Sequence, residues 1–139
     1  MNLFNKFVLF FATKIEVRMT KDRFSFISKK GAFDIKTSVF LEKEGGHFKI
    51  ASIGTENPDA VIVKRVDLFG NHQNADYDCL KKYIEHGLLL TTGKYALLRP
   101  SIVCKGVENF SEFFGGYQKR IFFNLFAEAG AGHIEFSDS

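Results

Sequence analysis

The sequence predicts an α/β fold, a mixed sheet with flanking helices. Three observations carry that prediction. From Lys14 to Ile27 apolar and polar residues alternate with the period of two that marks strands. From Asp76 to Leu89, and again from Tyr117 to Ala129, apolar residues recur at intervals of three and four, as on one face of a helix. The second of these helices lies between two short strands, and strand–helix–strand implies a parallel pair joined by a right-handed crossover.

Residues 2–12 read as a short amphipathic helix. Leu3, Phe4, Phe7, Val8, Phe10 and Phe11 lie on one side, with Asn2, Asn5 and Lys6 on the other. A strand is expected at 14–19, where Ile15, Val17 and Met19 alternate with Lys14, Glu16 and Arg18. Thr20-Lys21-Asp22 turns the chain, and Arg23 to Ile27 returns as the second arm of a hairpin, with Phe24 and Phe26 on one face. After a turn at Ser28–Gly31, a third strand is expected over Ile35–Leu41, ended by Glu44-Gly45-Gly46. A fourth runs from Phe48 to Ile53. Asp59 to Val66 is ambiguous, since Val61-Ile62-Val63 favours a strand while its neighbours suit a turn or short helix. Residues 70–74 read as a loop, and Asp76 as the N-cap of the first long helix. That helix should bury Cys79, Leu80, Tyr83, Ile84 and Leu88, and Gly87 should weaken its last turn. Pro100 precedes a buried strand at 101–104. Gly115-Gly116 opens the final helix, whose apolar face is Ile121, Phe122, Leu125, Phe126 and Ala129. Gly130 stands where a helix is commonly stopped, and His133–Phe136 is the last strand.

At 139 residues the chain is the size of one domain, with 45% hydrophobic and 25% charged residues, ordinary for a globular fold. A net charge of +3 is too small to announce nucleic acid. The charge is uneven, however. Residues 1–30 carry Lys6, Lys14, Arg18, Lys21, Arg23, Lys29 and Lys30 against Glu16 and Asp22. Such a basic end suits an acidic partner or an anionic membrane surface. Cys79 and Cys104 form no CxxC, and reduced thiols in a cytoplasmic protein are expected. No apolar run approaches the roughly 20 residues of a membrane-spanning helix. The run Phe7–Ala12 is short for a signal-peptide core and has no small-residue cleavage site after it, so secretion is not expected.

Four chemical motifs were weighed, and each reads better as structure. Gly87 to Tyr95 imitates a phosphate loop, but its glycines are one residue too far apart and Tyr95 replaces the Ser or Thr that binds magnesium. Gly130-Ala131-Gly132 imitates a dinucleotide fingerprint, but Glu135 occupies the third glycine position and a helix, not a strand, precedes it. His47, His72, His86 and His133 make no metal-ligand pair, so no metal is expected. Cys104 beside Lys105 has no sequence-placed base or acid, and a buried structural thiol is expected.

The last third of the chain is the most specific. Arg99-Pro100-Ser101-Ile102-Val103-Cys104 leads through a loop to Gly115-Gly116-Tyr117-Gln118-Lys119-Arg120. The helix ends in Ala127-Glu128-Ala129-Gly130-Ala131, and His133-Ile134-Glu135-Phe136 follows. Upstream lies Ala75-Asp76-Tyr77-Asp78, leading to His86. This succession resembles the MreB family of rod shape-determining, actin-like proteins, over nearly the whole chain but tightly only in the last third. The resemblance implies an actin-like, ribonuclease-H-like half over residues 13–139, with residues 1–12 as a separate N-terminal helix. In that family such a helix holds the membrane, and the first hairpin carries Asp-x-Gly-Thr against ATP phosphates. Here the matching positions are Glu16, Arg18 and Met19. Arginine in place of glycine blocks a close backbone approach, and methionine in place of threonine removes a hydroxyl. No second phosphate loop or adenine pocket is expected in this chain.

The expected function is therefore that of a non-catalytic binding or scaffold protein related to bacterial cell shape or the actin-like cytoskeleton, without cofactor or catalytic residues. Its partner would be a protein, either an actin-like filament protein or a second copy of itself. Phe4, Lys6, Phe7, Phe10 and Phe11 are the candidate membrane or partner contact, which would make a cytoplasmic protein membrane-associated. Arg18, Lys21, Arg23, Lys29 and Lys30 are the candidate basic contact patch. Two alternatives are a small enzyme, for which no convergent acid–base pair is visible, and a nucleic-acid binder stacking bases on Phe24 and Phe26. Nucleic acid is the less expected partner, because a period-two phenylalanine pattern is usually core.

Overall fold

A computed structural model describes residues 13–54, 64–69, 77–93 and 99–137. The expected helix at 2–12, the ambiguous Val61–Val63, the 70–74 loop and the Asp76 cap lie outside the described residues. Among the described residues there are eight strands: β1 (Lys14–Met19), β2 (Arg23–Ser28), β3 (Gly31–Lys36), β4 (Ser38–Glu44), β5 (His47–Ile53), β6 (Lys64–Asp67), β7 (Ser101–Lys105) and β8 (His133–Ser137). Helix α1 spans Tyr77–Thr92. A 3₁₀ turn at Val107–Phe110 runs into the short α2 (Ser111–Phe114), and α3 spans Gln118–Glu128.

The strands form two sheets. The larger has the order β3-β2-β1-β7-β8 and the smaller β5-β4-β6. In the larger sheet the β1–β2–β3 meander is antiparallel, while β1, β7 and β8 run parallel. The sheet is mixed, as the sequence predicts, and α3 supplies the connection between the parallel β7 and β8.

One difference from expectation reshapes the architecture. The strand expected over Ile35–Leu41 is two strands, which break at Thr37 and belong to different sheets. Thr37 makes the break rigid. Its N–H donates to the Asp22 carbonyl at 3.0 Å, its hydroxyl donates to the Lys21 carbonyl, and its own carbonyl accepts from the Leu68 N–H at 2.8 Å. The joint is thus pinned both to the hairpin turn and to the chain leaving β6. Local alternation does not mark such a break, because the residues on either side keep the same period.

The core lies on one face of the larger sheet. Ile15, Val17 and Met19 from β1, Phe24 and Phe26 from β2, and Ile102 and Cys104 from β7 meet the buried stripes of α1 and α3. Helix α1 buries Cys79, Leu80, Tyr83, Ile84 and Leu88, as the periodicity predicts, and extends beyond Leu89 to Thr92. On the α3 side Ile102 and Leu125 are fully buried, whereas Ile121, expected on the apolar face of that helix, and Ile134 are only partly buried against the core. The abundance of phenylalanine is explained here. The Phe24 ring lies 5.3 Å from Tyr83, 6.0 Å from Phe69 and Phe110, and 6.1 Å from Phe122, centroid to centroid. Tyr83 is the polar member of the cluster. Its hydroxyl donates to the Ile35 carbonyl and accepts from the Phe24 N–H at 3.3 Å, which satisfies it in the interior. Burial pushes its pKa well above the usual phenol range.

Two glycines have structural work. Gly130, at φ 110, ends α3: its N–H donates to the Ala127 carbonyl at 3.1 Å and the Ala131 N–H to the Phe126 carbonyl at 2.9 Å. That pair of bonds is the Schellman arrangement, and it needs a positive φ that glycine adopts at no steric cost. Gly87 sits inside α1, where glycine costs about 1 kcal/mol of helix propensity relative to alanine. A Cβ there would overlap the ring of Phe26, which is itself wholly buried. Gly87→Ala is therefore expected to destabilise the fold by about 1–3 kcal/mol, the range for overpacking, despite the gain in propensity. Thermal melts of the variant test this, and a melting temperature at or above the parent's would show that the ring can move aside.

Candidate functional site

The β1–β2 turn is closed by its own residues. The Thr20 N–H donates to the Arg23 carbonyl at 3.0 Å, the Thr20 hydroxyl donates to that same carbonyl at 2.9 Å, and the Arg23 N–H donates to the Thr20 hydroxyl at 3.2 Å. Just before it, the Met19 side chain is buried, and the Met19 carbonyl accepts from the Asn109 side-chain amide at 3.0 Å.

Glu16 and Arg18 lie on the face of β1 opposite the core. Arg18 pairs in register with Lys105 of β7, so both cations flank the Glu16 carboxylate. Lys105 Nζ is 3.0 Å from Glu16 Oε1 and Arg18 Nε is 2.6 Å from Glu16 Oε2. The Lys105 hydrogen bond first, and then that from Arg18, hold the Glu16 carboxyl below the usual carboxylate range. Glu16, Arg18 and Met19 are thus an ion-pair cluster and a core side chain.

Beside this turn is an open cleft of about 790 Å³. The hairpin supplies Arg18, Thr20, Lys21, Asp22, Arg23 and Ser25. The β3–β4 joint supplies Lys36, Thr37 and Ser38, and the second sheet supplies Arg65 and Asp67, followed by Phe69. Five basic side chains thus face two acidic ones among the described residues. Arg65 Nε lies 3.2 Å from Asp67, and its guanidinium sits 6.0 Å from the Phe40 ring centroid. Lys21 and Arg23 are exposed and form no ion pair among the described residues.

The expected basic patch is divided by this geometry. Arg18, Lys21 and Arg23 line the cleft, whereas Lys29 and Lys30 lie in the β2–β3 turn at the other end of β2. At about 3.3 Å per residue, that separation is about 17 Å. The sequence reading missed Lys36, Arg65 and Asp67. Lys36 was accessible in principle, since it pairs with Arg23 in the antiparallel register. Arg65 had no comparable signal, because its place depends on pairing with Phe40 within the smaller sheet, between strands far apart in sequence. Phe4, Lys6, Phe7, Phe10 and Phe11 lie outside the described residues.

The other groups weighed for chemistry are placed as follows. Cys104 is fully buried, and burial pushes its thiol up to about 12, far from a nucleophilic thiolate. Lys105 points to the opposite face, toward Glu16. Gly87 to Thr92 are helical, so the apparent phosphate loop begins inside α1. His133 pairs with Glu135 at 2.9 Å, and burial lowers the pKa of His86. Phe24 and Phe26 are wholly buried and offer no surface for base stacking. Among the described residues no three His, Cys, Asp or Glu side chains converge as a metal site, and no helix is long and apolar enough to cross a membrane.

No protein-family profile matches the chain, and no curated protein matches it. Among solved structures it is similar to MreB 5 of Spiroplasma citri bound to AMPPNP, with a TM-score of 0.67 and 10% sequence identity. The superposition covers 92% of this chain and 39% of that one, so the chain spans about two fifths of the length of the structure it matches. At that identity the likeness concerns the fold. The architecture is the actin-like one that the Arg99–Phe136 succession implied.

Proposed function

We propose that the chain is a non-catalytic binding or scaffold protein, related to the actin-like cytoskeleton of bacterial cell shape and working in the cytoplasm through contact with a protein partner. The observation that carries this reading is the state of the β1–β2 turn. A phosphate-gripping turn offers unengaged amides, a residue small enough for close backbone approach, and a hydroxyl or carboxylate free to serve a metal. Here the Thr20 N–H and hydroxyl donate to the Arg23 carbonyl, and the Arg23 N–H donates to the Thr20 hydroxyl. Arg18 stands in the small-residue position, and the Glu16 carboxylate is held by two cations. The MreB 5 structure holds AMPPNP, and the engaged groups at the turn of the present chain support a reading without that ligand.

Titration calorimetry with ATP and magnesium is expected to show no saturable heat, and a phosphate-release assay no turnover. Micromolar binding that is lost when Arg18 or Thr20 is substituted would overturn the proposal.

A further inference from the structure

We infer that the cleft between the hairpin turn and β6 is a docking site for an extended acidic segment of a partner protein. The inference rests on the reading of the chain as a binding protein, and it names the partner's chemistry.

Charge is the first argument. Arg18, Lys21, Arg23, Lys36 and Arg65 converge from three separate stretches of chain on one concavity. Lys21 and Arg23 are exposed members of its lining without a carboxylate partner among the described residues, so an incoming acid need not displace an existing pair. Complementary charge of this kind steers association and fixes orientation.

Shape and rigidity are the second. The cleft volume of about 790 Å³ falls within the roughly 300–1,000 Å³ of ordinary ligand sites. Its floor is tied together before any ligand arrives. Thr37 bonds both to Lys21 and to Asp22 of the turn, and the Ser38 carbonyl accepts from the Gly54 N–H at 2.8 Å. A preformed floor lowers the ordering cost of binding.

The third argument selects peptide over nucleic acid. Asp22 and Asp67 stand among the cations, where they can accept hydrogen bonds from the backbone amides of a peptide, donors that a phosphodiester backbone lacks. Among the described residues that line the cleft no exposed ring is available to stack bases, since the aromatic there, Phe69, is only 7% exposed. Among the described residues strand β6 ends the order of its sheet, so an extended chain can pair along its outer edge while its acidic side chains meet the cations of the cleft.

The probe is a fluorescein-labelled peptide of alternating Glu and Asp, followed by anisotropy against the whole chain, with labelled oligo-dT of equal charge alongside. Saturable peptide binding is expected, tighter than that of oligo-dT. Lys21→Glu combined with Arg23→Glu should weaken it by about tenfold, while Lys29→Glu combined with Lys30→Glu should change it by no more than about twofold. Arg65→Gln, which reaches the cleft from the other sheet, should also weaken it, and this variant decides the matter if the hairpin variant does not fold. No saturable binding, equal loss in the two paired variants, or tighter binding of oligo-dT would each overturn the inference. ATP turnover would refute the non-catalytic reading while leaving these outcomes unchanged, so the two failures are distinguishable.

Discussion

Phe24→Ala is expected to cost about 3–5 kcal/mol, the range for truncating a buried aromatic ring. Phe24 is wholly buried, and its ring touches rings from four other parts of the chain: Tyr83 of α1, Phe69 after β6, Phe110 of the 3₁₀ turn and Phe122 of α3. Its backbone N–H also meets the Tyr83 hydroxyl. Truncation leaves a void bounded by several separate elements, and a void whose walls belong to different elements collapses poorly. Mutational data place the cavity penalty on top of the lost transfer energy for that reason. Urea unfolding measures the effect. A loss under about 1 kcal/mol would show that the aromatic cluster repacks and that Phe24 is not its centre.

Leu125→Ala is expected to cost about 2–5 kcal/mol. Leu125 is fully buried and fastens α3 to the sheet, alongside Phe122 and Phe126. Phe123, the neighbouring aromatic on the same helix, is 48% exposed, and its truncation should stay within about 0.5 kcal/mol. The pair separates the buried stripe from the solvent face within one helix. Equal losses for the two would mean that the helix is turned about its axis relative to the orientation described.

What the sequence revealed depended on how local the cause was. The hairpin, the buried stripe of α1 and the glycine stop of α3 follow from neighbours within a few residues, and all are found. Gly87 shows the limit of local reasoning. Its low helix propensity was legible, but its cause was not, because the ring that needs the space belongs to Phe26 on another element. The 3₁₀ turn and α2 at 107–114 read as a loop in the sequence, although Phe110, Phe113 and Phe114 recur at the helical spacing. Thr37 conceals a change of sheet that alternation cannot register. The cleft divides in the same way. Arg18, Lys21 and Arg23 stand on one hairpin and were legible as a basic group, whereas Arg65 arrives through a pairing between distant strands. Lys29 and Lys30 joined that group by proximity in sequence, and the length of β2 removes them from it.

The parallel pairing of β1 with β7 has a kinetic consequence. Lys14 at the beginning of the described chain is matched with Ser101 near its end, and closing so long a loop must precede the reward of the contact. The β1–β2–β3 meander needs no such wait and can assemble as soon as it leaves the ribosome. During synthesis its first strand, β1, therefore has one edge paired with β2 and the other bare until β7 emerges. A bare strand edge is a template for pairing with other chains. The interval between making β3 and making β7 is when a nascent chain of this topology is most exposed to aggregation, and when a chaperone that shields strand edges has most to protect.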